Sequence, residues 1–184
     1  FYDRLPARAE GVVRDPVWSL AQHSAGMCVR FETDAPEISV RWRVRNEALA
    51  MPHMPATGVS GLDIYGWTDH GWHFAGSARP EKFPEHRAVI APDLDGQSRT
   101  YLMYLPLYNG TEKVEVGLPR GASLTSADEP GNTNSKPVMC YGTSIVQGGC
   151  ASRPGMAYPA IIGRMLNRRT VNLGFSGNGQ AEPE

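Results

Sequence analysis

Residues 38–45 read Ile-Ser-Val-Arg-Trp-Arg-Val-Arg, with an apolar side chain at every second position. Successive side chains of a β-strand point to opposite faces of the sheet, so this alternation predicts a strand with one buried and one solvated face. Half-buried strands of this kind are typical of antiparallel sheets. The stretch therefore predicts antiparallel β-structure in the N-terminal part of the chain.

Neighbouring segments extend this pattern. Residues 27–32 predict a second strand, which we expect to pair with residues 38–45 across a turn at residues 34–37. Residues 62–67 and 72–76 flank a polar turn and predict a hairpin. Short strands at this spacing, without a long helical period, favour an antiparallel β-sandwich of the jelly-roll type.

A second hairpin is predicted around Asn109-Gly110, which separates residues 101–108 from residues 112–118. Asn and Gly tolerate the positive φ that a two-residue hairpin turn requires. Pro106 cannot donate a hydrogen bond to a neighbouring strand, so its own strand is expected at a sheet edge or at a bulge.

The pattern changes after residues 121–136, which are polar, rich in turn-forming residues and predicted to be a linker or a long surface loop. Residues 137–141 are an apolar run suited to a buried strand. Residues 157–166 have apolar side chains at helical spacing, and residues 170–175 predict another buried strand. Strand, turn, helix and strand in this order are typical of the start of a parallel α/β domain.

We therefore expect two domains, a β-sandwich over residues 1–130 and the N-terminal part of an α/β domain over residues 131–184.

The apolar share of 41% and the charged share of 20% are ordinary for a globular protein. The net charge of −1, with scattered basic residues, predicts neither nucleic-acid nor anionic-membrane binding. No apolar run approaches the roughly 20 residues that cross a bilayer. Three cysteines do not predict a disulfide framework, and the compartment (cytoplasmic or secreted) and the oligomeric state stay open.

The turn after residues 137–141 carries the candidate chemistry. Ser144 lies just past the C-terminal end of the predicted strand, and ligand sites of open α/β sheets lie at that edge. Glycines around Ser144 would let backbone amides approach a reacting carbonyl. The amide of Ser144, at the start of a helical turn, is suitably placed to stabilise an oxyanion.

The sequence also resembles a known family. Gly142-Thr143-Ser144-Ile145 is similar to the first block of the SGNH (GDSL-like) hydrolases, usually Gly-Asp-Ser-Leu, and Asn172-Leu173-Gly174-Phe175-Ser176-Gly177-Asn178-Gly179 is similar to the second. Gly61-Leu62-Asp63-Ile64-Tyr65 resembles the Gly-x-Asp-Leu-Tyr motif of a β-rich domain that precedes the hydrolase in one subfamily. The resemblance covers most of the chain from about residue 12 onward.

The resemblance implies a serine esterase with a flavodoxin-like α/β domain and no metal or organic cofactor. Ser144 would be the nucleophile and an oxyanion amide, and Gly177 would supply a second oxyanion amide. Asn178 and Arg153 are candidate pocket residues. Thr143 replaces the usual Asp, which we expect to be tolerated because that residue shapes the turn. The family's histidine base, its acid and its oxyanion asparagine match no residue of this chain, so the 184 residues alone are expected to be close to inert.

Alternatives stand beside these roles. Asn178 could simply form a turn, and Arg153 could form an ordinary loop ion pair. Asp63 is expected to be a structural hydrogen-bond acceptor rather than a catalytic acid. The leading function is hydrolysis of an acylated sugar or another small ester. Acyl transfer to an alcohol is the nearest variant, and a non-catalytic module that binds carbohydrate or protein is the alternative from a different class.

Overall fold

The computed structural model describes residues 2–128, 130 and 136–182. Its strands are β1 (Cys28–Thr33), β2 (Ile38–Val44), β3 (Leu62–Thr68), β4 (Gly71–Ala78), β5 (Glu85–Ala91), β6 (Arg99–Tyr104), β7 (Thr111–Gly117), β8 (Thr125–Ser126), β9 (Val138–Gly142) and β10 (Thr170–Gly174). Its α-helices are α1 (Asp15–Ala21), α2 (Ala56–Val59), α3 (Ser144–Gln147) and α4 (Tyr158–Leu166). None of these helices has the length and apolar character needed to cross a bilayer.

Two sheets enclose the main core. Five strands form one sheet in the order β4-β3-β6-β1-β8, and three strands form the other in the order β5-β2-β7. Their facing side chains interdigitate in one apolar cluster, which is the expected result of period-two burial on both sheets. The largest fully buried members of this cluster are Trp42, Tyr101, Ile38, Leu62, Ile64, Ile90, Met103 and Leu105. The predicted antiparallel β-sandwich is confirmed.

The alternation of residues 38–45 has the predicted outcome in β2. Its apolar side chains point into the core, whereas its basic side chains form ion pairs on the outer face. Arg41 Nε lies 2.6 Å from a carboxylate oxygen of Glu115, and Arg43 Nε lies 2.8 Å from one of Glu112. Both acids belong to the neighbouring strand β7, so the outer face is matched by charge across strands.

The predicted pairing of residues 27–32 with residues 38–45 is wrong. Strand β1 pairs with β6 and β8, whereas β2 pairs with β5 and β7 in the opposite sheet. Thr33 Oγ1 accepts a hydrogen bond from the backbone N–H of Ala35 at 3.1 Å, in the segment that connects the two sheets. A short turn connects strands between sheets as readily as within one, and alternation alone does not encode the partner strand. The hairpin predicted for residues 62–76 is confirmed as β3 and β4.

The hairpin predicted at Asn109-Gly110 is also wrong, because β6 and β7 lie in different sheets. Strand β6 ends at Tyr104, and a buried loop follows it. The fully buried Asn109 accepts a hydrogen bond from the backbone N–H of Asn46 and donates to its carbonyl, both at 2.9 Å. Asn109 is therefore needed for its side-chain amide rather than for a positive φ. Pro106 follows a central strand, so its predicted edge or bulge position is wrong as well.

The C-terminal part, residues 136–182, is called the α/β unit. Strands β9 and β10 pair in parallel, with α3 and α4 between them along the chain, so the predicted strand-turn-helix-strand order is confirmed. The prediction that both strands are buried is wrong for one face of β9. Its residues Met139 and Tyr141 are 66% and 48% exposed. Helix α4 packs its small residues against the outer face of the five-stranded sheet, where Ala160 contacts Tyr104. The predicted linker contains β8, and its residues 129 and 131–135 lie outside the described residues.

The Gly-x-Asp-Leu-Tyr-like motif lies where the sandwich meets the α/β unit. Asp63 is fully buried and accepts hydrogen bonds from the backbone N–H of Gly155 at 2.8 and 3.0 Å and from the Tyr65 hydroxyl at 3.2 Å. Arg153 Nε lies 3.3 Å from the same carboxylate, and the Arg164 guanidinium lies 3.8 Å from the Tyr65 ring centroid. These five residues are called the Asp63 junction. They support the structural role expected for Asp63.

Candidate active site

Ser144 opens helix α3 directly after the C-terminal end of β9. The turn is closed by its own backbone, because the Ser144 carbonyl accepts hydrogen bonds from Gly148 N–H at 3.0 Å and Gly149 N–H at 2.7 Å. The Tyr108 hydroxyl, from the sandwich, donates to the same carbonyl at 3.2 Å. Within the described residues, no hydrogen bond engages the Ser144 hydroxyl. The backbone of Ser144 is thus fixed while its side chain stays available.

Ser144 lines an open pocket of about 640 Å³. More than half of the lining comes from the N-terminal part of the chain rather than from the α/β unit. The lining residues are Pro16, Ser19, Leu20, His23, Met51, His53, Tyr108, Ser144, Ile145, Gly149, Cys150, Ser176 and Asn178. No Asp, Glu, Lys or Arg is among them, so the described wall of the pocket is uncharged.

The loop that follows β10, residues 175–178, is called the β10 loop. It turns tightly, since Asn178 N–H donates to the Phe175 carbonyl at 2.8 Å and Gly177 has a φ of +71°. A Cβ at Gly177 would meet nothing within 4 Å, so glycine is favoured there by backbone conformation rather than by space. Ser176 and Asn178 line the Ser144 pocket on either side of Gly177.

The predicted site residues are therefore partly brought together. Ser144 and Asn178 line one pocket, and Gly177 lies between two residues of its lining. The side-chain amide of Asn178 donates to the Ser176 carbonyl at 2.9 Å, which fits the turn-forming alternative. Arg153 does not line this pocket. It lies in the Asp63 junction, with its guanidinium 4.2 Å from the Phe74 ring centroid, which fits the ordinary ion-pair alternative.

Arg4 is a residue that sequence reasoning missed. Its guanidinium donates to the carbonyls of Gly174 at 2.6 Å, Leu20 at 2.7 Å and His23 at 2.9 Å. It also lies 4.8 Å from the Phe175 ring centroid, at the start of the β10 loop. Burial lowers the pKa of Arg4 to about 10, so it stays charged at neutral pH. Arg4 and these backbone carbonyls are called the Arg4 junction. Arg4 stands in no motif of the sequence that could have revealed this role.

His23 lines the pocket but is poorly suited to act as a base for Ser144. Burial, with the positive charges of Arg4 and Arg45, lowers the pKa of His23 to about 4. An effective general base has a pKa near the operating pH. Its Nδ1 is also engaged by the side-chain amide of Gln147 at 3.1 Å. His53, the other histidine of the lining, is exposed at the rim.

The site carries no sign of a metal centre in the part of the chain that the structure describes, where no three His, Cys, Asp or Glu side chains are grouped to hold an ion. A sandwich that leads into a strand, a serine turn and a glycine loop is the arrangement expected of an SGNH-type protein with a β-rich N-terminal domain. Two family models match consecutive parts of the chain. The N-terminus of SGNH-hydrolase-type esterases (GxDLY) matches residues 1–124, and the GDSL-like lipase/acylhydrolase family matches residues 135–184. The chain belongs to the GxDLY family of SGNH-type esterases.

Solved structures agree with this assignment. A protein from Bacteroides ovatus named as a GDSL-like lipase is 32% identical with a TM-score of 0.92, over 99% of this chain and 52% of that chain. The salicylyl-acyltransferase of a tetracycline biosynthetic pathway (20% identical, TM-score 0.68, 96% of this chain and 47% of that one) shares the fold. So does a family two carbohydrate esterase from Clostridium thermocellum (14%, TM-score 0.53, 86% and 50%). The chain thus spans about half the length of these structures. A comparison with curated protein sequences gave no match.

Proposed function

We propose that the protein to which this chain belongs is a serine-dependent carboxylic ester hydrolase, with Ser144 as its nucleophile. One observation carries the proposal. The Ser144 hydroxyl, at the C-terminal end of β9, has no hydrogen-bond partner among the described residues and faces an open pocket that the β10 loop also lines. Membership in a family of GDSL-like hydrolases supports the same chemistry.

The reaction would proceed through an acyl-enzyme. Ser144 Oγ forms a bond to the ester carbonyl carbon, and the amides of Ser144 and Gly177 stabilise the oxyanion. The C–O bond to the alcohol then breaks, and the alcohol leaves with the proton of the serine hydroxyl. Water attacks the acyl carbon, which releases the acid and restores the hydroxyl. A histidine base must shuttle these protons, and the lowered pKa of His23 makes this residue unsuited to do so.

An uncharged ester fits the pocket best, because the described lining holds no Asp, Glu, Lys or Arg. An acylated sugar or another small ester has this character. Transfer of the acyl group to a second alcohol uses the same acyl-enzyme and differs only in the final acceptor. Product analysis with and without an added alcohol separates the two, since a transferase forms a new ester and a hydrolase forms the free acid.

A fluorophosphonate probe tests the nucleophile in the full-length gene product. Ser144 Oγ would displace fluoride from phosphorus, and peptide mapping would locate the label on Ser144 rather than on Ser176 of the same pocket. Ser144→Ala should reduce labelling by at least about 1,000-fold, because no other group replaces the attacking oxygen. Ser152→Ala, at an exposed position outside the pocket lining, should be labelled as the parent is. A folded full-length protein without label would support the non-catalytic binding module instead.

A further inference from the structure

Gln147 is the last residue of α3, and its side chain is fully buried between the serine turn and the sandwich. Its Oε1 accepts a hydrogen bond from the backbone N–H of Ser176 at 2.9 Å. Its Nε2 donates to the carbonyl of Leu107 at 3.1 Å and lies 3.1 Å from Nδ1 of His23. One side chain therefore joins the nucleophile helix, the β10 loop and the sandwich.

The orientation of this amide is set by its partners. The Leu107 carbonyl can only accept, and the Ser176 N–H can only donate, so Nε2 must face Leu107 and Oε1 must face Ser176. The second N–H of Nε2 then points to His23, whose Nδ1 must be an unprotonated acceptor. The lowered pKa of His23, about 4, keeps the ring neutral as this arrangement requires.

Close backbone packing around Gln147 leaves little room for adjustment. A Cβ at Gly174 would lie 2.0 Å from the Gln147 backbone nitrogen, so β10 and α3 approach through glycine. Asn172 reinforces this contact, since its Nδ2 donates to the Val146 carbonyl at 2.8 Å and its Oδ1 accepts from Gly174 N–H at 2.9 Å. The Ser176 amide held by Gln147 is one residue before Gly177. Any movement at Gln147 would thus reach the proposed oxyanion donor through a single peptide.

We infer that Gln147 is a positioning residue, which holds the β10 loop and its Gly177 amide in register with Ser144 and links that register to His23 and Leu107 of the sandwich. The inference rests on the proposed function, because it concerns the geometry of the same reaction. Gln147 does not contact the reacting atoms in this role. It acts through the backbone of Ser176.

Gln147→Met tests the role, because methionine has a similar length and no hydrogen-bonding amide. The full-length variant should be phosphonylated about 10- to 100-fold more slowly per folded molecule, with the probe's binding constant changed less than about threefold. Hydrogen exchange at the Ser176 amide should be faster. Gln97→Met, at an exposed glutamine outside the pocket lining, should change neither rate. An unchanged phosphonylation rate in folded Gln147→Met would overturn the inference.

His23 provides a second pair of variants, which remain informative if Gln147→Met does not fold. His23→Leu removes the acceptor for the Gln147 amide, whereas the side-chain oxygen of His23→Asn occupies a position similar to Nδ1. Labelling of His23→Asn should be about tenfold faster than that of His23→Leu at equal folded fraction. Equal rates in the two variants would contradict the link to the sandwich. If the parent protein itself is not labelled, the proposed function fails rather than the role of Gln147.

Discussion

The Asp63 junction and the Arg4 junction connect the same two parts of the molecule with opposite charges. In the first, a buried carboxylate of the sandwich accepts from a backbone N–H of the α/β unit, at Gly155. In the second, a partly buried guanidinium donates to a backbone carbonyl of the α/β unit, at Gly174. In both cases the charged side chain binds the backbone of the α/β unit, and Asp63 in addition forms an ion pair with the side chain of Arg153. The sandwich thereby holds the α/β unit at Gly155, after the serine turn, and at Gly174, directly before the β10 loop.

The largest effect is expected at the Asp63 junction. Asp63→Ala should lower the free energy of unfolding by about 4 kcal/mol, because it leaves the Gly155 N–H without its acceptor and Arg153 without its counter-charge. Urea unfolding followed by circular dichroism measures this loss. Asp69→Ala, at the exposed turn between β3 and β4, is the matched control and should change stability by less than about 0.5 kcal/mol. A loss below about 1 kcal/mol for Asp63→Ala would show that the junction is not an essential contact.

A smaller effect is expected at the Arg4 junction. Arg4→Met keeps much of the aliphatic length and removes the guanidinium, so unfolding should become easier by about 2–3 kcal/mol. Arg8→Met changes an exposed arginine of the same segment and should have little effect. The same unfolding experiment measures both. If the Asp63 and Arg4 junctions act independently, the double variant should show the sum of the two losses within about 0.5 kcal/mol.

The smallest effect is expected in the pH dependence of stability, to which His23 and Asp63 contribute with opposite signs. The pKa of His23 is lowered to about 4 in the fold, so the unfolded chain binds more protons there and acidification from pH 7 to 5 should cost about 2 kcal/mol. Burial raises the pKa of Asp63 to about 6, so the folded chain binds more protons there and the same acidification should gain about 1 kcal/mol.

Single substitutions separate these opposing contributions. Relative to the parent, Asp63→Asn should lose more stability between pH 7 and 5, whereas His23→Asn should lose less. Unfolding titrations of the three proteins at both pH values measure the differences. Parallel changes in all three would mean that neither group titrates as its surroundings require.

Local patterns account for most of the fold and for part of the site. The alternation in β2 and the helical spacing in α4 follow from neighbouring residues, so both elements are predictable. The choice of partner strands is not predictable in this way. Strands β1 and β2 belong to different sheets, and this assignment depends on how all the strands of the sandwich pack together. Asn109 shows the same limit, since its turn-like dipeptide is used for buried hydrogen bonds to Asn46.

Within the site, Ser144 and the loop around Gly177 belong to recognisable sequence motifs, so both can be singled out as candidates from the sequence. Arg4 and Gln147 have no such context. Arg4 is 170 residues from Gly174 in the chain, and Gln147 is 29 residues from Ser176. Their roles depend on distances that only the folded backbone creates. The hydrogen bonds that hold the candidate site together are therefore less visible in the sequence than the group proposed to react.

The mixed origin of the Ser144 pocket has a practical consequence for protein engineering. Leu20, Met51 and His53 line it from segments that lie far along the chain from the serine turn. Library mutagenesis at these three positions can reshape the pocket wall without touching β9, α3 or the β10 loop. Replacing the sandwich with that of a relative would change all of these pocket residues at once. The incoming sandwich must carry residues equivalent to Arg4 and Asp63, so that both junctions with the α/β unit still form.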